Sequence, residues 1–447
     1  MFIQRMKLHE RFRGAGVAAR ARFRRTEKEE GSGARSSEEG TASFLALLVS
    51  QLLGTTAFMF VVPFMPLYVQ ALGVEDVGHA AAWAGVINGA SGATMALVAP
   101  LWGKLSDRMG RKLMLLRATI AAVVVVGSMA FVTGPWQLLV LRLLQGTLTG
   151  TVPAATSLVA ATAPAEKAGW RLGALQTVIF VAAGVGPALG GISADSAGLR
   201  TSFFVASALL AVSTVIILFG VRENKPGVEE REEAESDTGS GRSPLPYRLL
   251  LPGLLTLFAV HVAITSAAVA LPGFVGTLAG AADRVASQAG WIIGTGALVA
   301  SLGSLLGGRL AARFGARRVM VVSLALAGLA ALPQALSESV PQLWALRLLT
   351  SLFIGCAIPV ANLAIRSAAP AGRQGEAFGV ASSATSAGFA LGPLGGGLLA
   401  ASLGFWSAFL VPGILLLALA IAFVVAYAPR SGRATAAWKA IFAGITR

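Results

Sequence analysis

The sequence predicts an all-α membrane protein, with twelve transmembrane helices arranged as two pseudo-symmetric six-helix halves. Three observations lead there. Hydrophobic residues make up 55% of the 447 residues and charged residues 13%, with a mean hydropathy of +0.72, so no ordinary polar surface could cover the apolar side chains. Twelve apolar runs are each long enough to cross the hydrocarbon layer, which takes roughly 20 residues. The first six runs and the last six repeat each other's charges, prolines and loops.

The runs lie near 44–69, 82–103, 113–133, 135–157, 170–193 and 201–220, then near 249–272, 288–310, 318–336, 341–364, 375–400 and 405–427. They are numbered here as spans 1 to 12. Loop charge orients them. Lys104, Arg108, Arg111, Lys112 and Arg117 follow span 2, Arg309, Arg313, Arg317 and Arg318 follow span 8, and Arg366 and Arg373 follow span 10. The opposite loops hold only Arg200 and Arg284, beside the acids Glu75, Asp76 and Glu338. The positive-inside rule then puts both termini in the cytoplasm and the chain in the cell's inner (plasma) membrane, crossing it many times. The net charge of +15 sits in these loops and the N-terminal tail, so it calls for no nucleic-acid partner.

Five segments follow: a tail over 1–42, a six-helix half over 43–220, a linker over 221–247, a second half over 248–428 and a tail over 429–447. The first tail turns from Arg-rich (Arg11, Arg13, Arg20) to Glu- and Ser-rich, a disordered cytoplasmic composition. An organellar presequence is the other reading of its Arg-rich start, and no apolar stretch of a cleavable signal peptide precedes Phe44. The linker carries Glu229, Glu230, Glu232 and Glu233, then Gly and Ser, again a solvated composition. Gly85 and Gly89, Gly290 and Gly294, and Gly303 and Gly307 have the spacing that lets membrane helices approach, although 53 glycines produce such pairs by chance. The one cysteine, Cys356, forms no intrachain disulfide.

Four motifs stand out. Gly103-Lys-Leu-Ser-Asp-Arg-Met-Gly-Arg-Lys112 joins spans 2 and 3, with Gly103 and Gly110 at its turns and Asp107 among the bases Arg108 and Arg111. Gly308-Arg-Leu-Ala-Ala-Arg-Phe-Gly-Ala-Arg317 repeats it after span 8, with Ala312 in place of the acid. Leu141-Arg142-Leu-Leu-Gln-Gly146 puts an arginine inside span 4, and Leu346-Arg347-Leu-Leu349 repeats it in span 10. An intramembrane arginine faces a cavity or a partner, or snorkels. Gly186, Pro187, Gly190 and Gly191 in span 5 recur as Gly392, Pro393 and Gly396 in span 11, where Gly and Pro let a helix bend and a neighbour come close. Pro63-Phe-Met-Pro-Leu-Tyr68 carries two prolines that unwind span 1 locally. Parallel six-span repeats place a substrate path at their interface, with transport by rocking of the halves.

On these residues the chain resembles the major facilitator superfamily, and within it the twelve-span drug:proton antiporters that include tetracycline and multidrug exporters. The resemblance runs from about Phe44 to Tyr427, outside the tail and linker. It implies the major facilitator fold and a cytoplasmic gate made by Gly103, Asp107, Arg108, Gly110 and Arg111. It also implies a proton-transfer role for Arg142, an antiporter motif in spans 5 and 11 that points to export, and action as a monomer.

No Asp or Glu lies in the middle of a span, so the candidates for carrying a proton are Asp107, Glu376 at the start of span 11, and His261 within span 7. A histidine bonded to a backbone carbonyl is the plain alternative for His261. Gln51, Asn88, Gln176 and Asn362, with Arg142, Arg347 and His261, supply the polar inventory of a cavity, and Phe58 and Tyr68 supply adaptable apolar contacts. This inventory suits neutral, zwitterionic or anionic compounds. The expected function is proton-driven export of small amphipathic compounds through the lipid bilayer. A dedicated carrier of an organic anion or sugar is the alternative. His9, His79 and His261 stand far apart, so no metal site or cofactor is expected, and no catalytic constellation points to an enzyme.

Overall fold

The computed structural model describes residues 40–162, 165–222, 245–279, 284–370 and 374–427, with side chains except at 99–100, 103–104, 106–108, 157, 160–162, 165–169, 279, 374–375 and 427. The bodies of the two predicted tails and of the linker lie outside the described residues. Twelve helices are long and apolar enough to cross a membrane. In the first half these are span 1 Gly40–Ala71, span 2 Val77–Val98, span 3 Arg111–Phe131, span 4 Pro135–Thr156, span 5 Trp170–Ala197 and span 6 Leu199–Gly220. In the second they are span 7 Tyr247–Leu278, span 8 Val285–Phe314, span 9 Ala316–Leu336, span 10 Val340–Ala368, span 11 Glu376–Leu403 and span 12 Ser407–Ala426. Every predicted run overlaps its span. Twelve crossings return the chain to the end of the bundle where it began, called here the terminal end. The other is the distal end.

Two spans depart from a continuous helix, each for a local reason. In span 1 the prolines Pro63 and Pro66 lack N–H donors, and the α-helix gives way to a 3-10 turn over Val62–Phe64 before resuming at Met65. Span 4 is helical over Pro135–Leu148 and again from Thr151 to Thr162. At the break, the backbone N–H of Thr149 donates to the Gln145 carbonyl at 2.9 Å and its hydroxyl donates to the same oxygen at 2.7 Å. The sequence reading took span 4 as continuous; its only warning was Thr149-Gly150, two residues that weaken a helix.

Each half has its own core. In the first, Phe64 and Tyr68 pack on Phe203 with ring centroids 5.4 Å and 4.8 Å apart, together with Leu210 and Met129. In the second, Val260, Leu324, Ile354 and Phe423 do the same work. In lipid the helices gain little from hiding apolar surface, so close contact and interhelical hydrogen bonds carry the packing. Ser213 in span 6 donates to the Ser50 carbonyl of span 1 at 2.8 Å, and Ser207 donates to the Val123 carbonyl of span 3 at 2.9 Å. At the distal end the two cores merge: Val269 and Ala286 of the second half join the first cluster, and Ala81 of the first half joins a cluster around Ala270 and Phe409.

Candidate functional site

The seam between the halves is built from glycine against carbonyl. Gly85 in span 2 lies on the Pro393 carbonyl of span 11, and Gly89 lies on that of Ala390. The second seam repeats the first: Gly290 in span 8 lies on the Pro187 carbonyl of span 5, and Gly294 on that of Gly184. A side chain at any of these four positions would overlap backbone. Two of the glycine pairs that spacing alone left open are thus the contact between the halves. The third, Gly303 and Gly307, packs within the second half on Leu352 and Cys356.

The Gly/Pro motif works on two faces. Gly186 and Gly190 hold span 5 against Met59 and Phe60 of span 1, while Pro187 and Gly191 meet span 8. In span 11, Gly392 and Gly396 hold Thr265 and Ser266 of span 7, while Pro393 and Gly397 meet span 2. Every described glycine that touches the opposite half lies between the distal end and the middle of its helix. Past the seam, toward the terminal end, Gly173, Gly308 and Gly379 of spans 5, 8 and 11 have nothing within 4 Å of where a Cβ would stand. The bundle is closed distally, and the described glycine contacts between the halves do not continue to the terminal end.

Buried polar groups lie inside the spans, the two arginines in the distal part of spans 4 and 10. Arg142 and Arg347 are 8% and 9% exposed, and no carboxylate among the described residues pairs with either. The Arg347 guanidinium donates through Nη2 to the Ile264 carbonyl of span 7 at 3.3 Å. Arg142 Nε has no partner, and neither has the Gln145 Oε1 one turn along the same face of span 4. Gln51 and Thr55, one turn apart on span 1, also carry unpartnered buried oxygens, Oε1 and Oγ1. Buried polar atoms of this kind are met by water or ligand when they are met at all. Gln145 and Thr55 were not among the candidate cavity residues. In the sequence Gln145 stands out only as part of the arginine motif, and a lone threonine in a membrane helix carries no signal of its own.

The other candidates divide. His261 is partly buried; its Nδ1–H donates to the Leu257 carbonyl at 2.7 Å and its ring lies 4.9 Å from that of Phe389 in span 11. Gln176 is exposed on span 5 at the terminal side of the seam, Asn362 is half-buried near the terminal end of span 10, and Asn88 is half-buried between the seam glycines of span 2. Phe58 packs on the first core. Tyr68 is set apart from all of these: it is fully buried near the distal end, and its hydroxyl donates to the Met129 carbonyl at 2.6 Å. Glu376 is exposed at the start of span 11.

In the gate motif, Gly103, Asp107 and Arg108 fall in the helix Val77–Met109, and their side chains lie outside the described residues. Gly110 turns the chain at φ 102°, and Gly315 in the repeat does so at φ 87°, backbone that other residues resist. Arg111 then opens the span 3 helix, and Lys112 ties it to the Leu218 carbonyl of span 6 at 2.9 Å. Beside the motif, Trp102 stacks under the Arg117 guanidinium, 3.4 Å from ring centroid to Cζ, and donates from Nε1 to the Thr147 carbonyl at 2.6 Å, just before the break in span 4.

Among known proteins, the family model described as Major Facilitator Superfamily matches residues 47–284 and 285–444. The chain is 36% identical over 353 residues to the multidrug resistance protein MdtG of Proteus mirabilis, covering 79% of this chain and 87% of that protein. It is 32% identical over 354 residues to the multi-drug resistance efflux pump PmrA homolog of Lactococcus lactis, covering 79% and 87%. Of solved structures, the human organic anion transporter MFSD10 is similar at TM-score 0.63 and 19% identity, over 86% of this chain and 99% of that one. The nucleoside transporter NupG is similar at TM-score 0.66 and 14% identity, over 86% and 100%. At such identities the structural likeness speaks for the fold alone.

Proposed function

The chain belongs to the major facilitator superfamily, and from that premise we propose that it exports small amphipathic compounds by alternating access of its two halves. The observation that carries this reading is the seam: a Gly/Pro motif in each half closes one end of the bundle, the described glycine contacts do not continue to the other end, and buried, unpartnered polar groups stand inside the spans. A transporter that rocks between two such states needs a seam that can be broken without tearing a core, and glycine–carbonyl contacts meet that need. The names of the relatives, a multidrug resistance protein and an efflux pump, support export of varied compounds.

The positive-inside rule supports a cytoplasmic terminal end, which carries the basic loops, so in our reading the chain works as a monomer in the inner membrane with its distal end closed to the outside. Compounds enter from the cytoplasm, or from its leaflet, between spans 5 and 8 and spans 2 and 11. Arg142 and Gln145 of span 4 and Gln51 and Thr55 of span 1 then offer hydrogen bonds to the polar end of the compound, which no acidic residue among those described repels. Protons drive the return, with His261 as the carrier within the spans and Asp107 and Glu376 at the cytoplasmic edge.

The test is accumulation of dyes and drugs in cells lacking their own major exporters, with and without this protein. Lower accumulation that a protonophore abolishes is the expected result. Unchanged accumulation across chemically varied compounds, with the protein present in the membrane, would replace this reading by a carrier dedicated to one metabolite.

A further inference from the structure

Among the described residues the two seams differ in one polar contact. Span 2 begins with its own cap: Asp76 stands just before the helix and its Oδ1 accepts the N–H of His79 at 2.6 Å. Span 8 has Arg284 in the corresponding place, with no side-chain cap. Its first turn is capped from the other half instead. The Oδ2 of Asp195, at the distal end of span 5, accepts the N–H of Ser287 at 2.7 Å. His79 and Ser287 are both the third residue of their helices, so the same donor is satisfied in both, once within a half and once across the halves. Gly191, one turn before Asp195, lies on the Ala286 carbonyl and the Ser287 Cα, which brings the carboxylate within reach. In the repeat, Ala401 takes the place of Asp195 and packs on Gly78 with nothing to donate or accept from its side chain.

We propose that Asp195 is a distal gate residue: a helix cap lent by the first half to the second, which holds the distal end shut and is released each time that end opens. A carboxylate at a helix N-terminus is favoured both by the free N–H groups and by the helix dipole. Parting the halves leaves span 8 uncapped and span 2 unaffected, so the polar part of the closing energy sits on one seam. The role rests on the alternating-access reading above. The gate can be read without transport, so failure of the export assay leaves it standing.

The experiment measures the distal end itself. Spin labels on cysteines placed at the exposed Ser196 and Glu338, in a Cys356→Ser background, report the separation of the halves by double electron–electron resonance in lipid nanodiscs. Asp195→Ala is expected to move the population from the short distance to the long one, lowering the closed-to-open ratio roughly fivefold, the usual weight of one helix cap. Asp195→Asn, which keeps the shape, shifts it less. Adding Arg284→Asp to Asp195→Ala gives span 8 a cap of its own, as Asp76 gives span 2, and leaves the shift in place. Distances unchanged in both Asp195 variants would overturn the proposal. So would recovery of the original distribution by Arg284→Asp, because Asp195 would then be a cap for folding and nothing more.

Discussion

Gly85 rests on the carbonyl of Pro393, and that one contact joins the two halves at the point where the chain's repeat meets itself: Gly290 rests on Pro187 in the same manner. A backbone carbonyl that meets a glycine can be left and regained without any side chain having to rearrange. The proline frees the helix to bend there, and the glycine lets the neighbour come close enough for Cα–H contacts with the oxygen.

A valine at position 85 or 290 therefore wedges the distal end open. Overpacking of this kind costs about 1–3 kcal/mol, which is roughly a 5- to 150-fold shift in a two-state equilibrium. Gly85→Val and Gly290→Val are each expected to expose a cysteine introduced at the distal seam, in a Cys356→Ser background, to a membrane-impermeant thiol reagent and to slow export. Gly308→Val, where nothing stands in the way, should leave both unchanged.

Arg142 separates structure from function cleanly. Replacing it by Met removes a buried charge with no carboxylate partner, so the thermal midpoint in detergent should stay level or rise. Export should fall at least about tenfold, since a hydrogen bond to a charged group is commonly worth 1.5–3 kcal/mol. A drop of several degrees in the midpoint would mark Arg142 as a packing residue instead.

His261 is the one imidazole or carboxylate away from the span ends among the described residues. Its Nδ1–H is held by Leu257, which leaves Nε2 to take up and release a proton. His261→Gln is expected to let substrate move down its own gradient in proteoliposomes while an imposed pH gradient no longer drives uptake against it. Undiminished pH-driven transport would move the coupling to Asp107 or Glu376.

Tyr68→Phe leaves the Met129 carbonyl buried without a donor, a loss of about 1–3 kcal/mol. The expected outcome is a lower thermal midpoint with the substrate range unchanged. A changed substrate range would return Tyr68 to the list of cavity contacts.

The sequence by itself determined the class of solvent, the twelve crossings and the two-fold repeat, because each rests on quantities that add up along the chain: apolar run length, loop charge and self-similarity. It also marked both arginines and both Gly/Pro motifs, since a charge or a proline in lipid is conspicuous on any reading. Only the tertiary structure decided which glycine pairs join the halves and which pack within one. Gly85–Gly89 and Gly303–Gly307 have the same spacing, and what separates them is the identity of the helix opposite. The unpartnered oxygens of Gln51, Thr55 and Gln145 likewise emerge only when neighbouring helices have taken every donor they can. Asp195 is the sharpest case. In sequence it is a lone acid near a span end; in space it completes a helix that begins in the other half, because hydrogen bonding is satisfied by proximity and not by order along the chain.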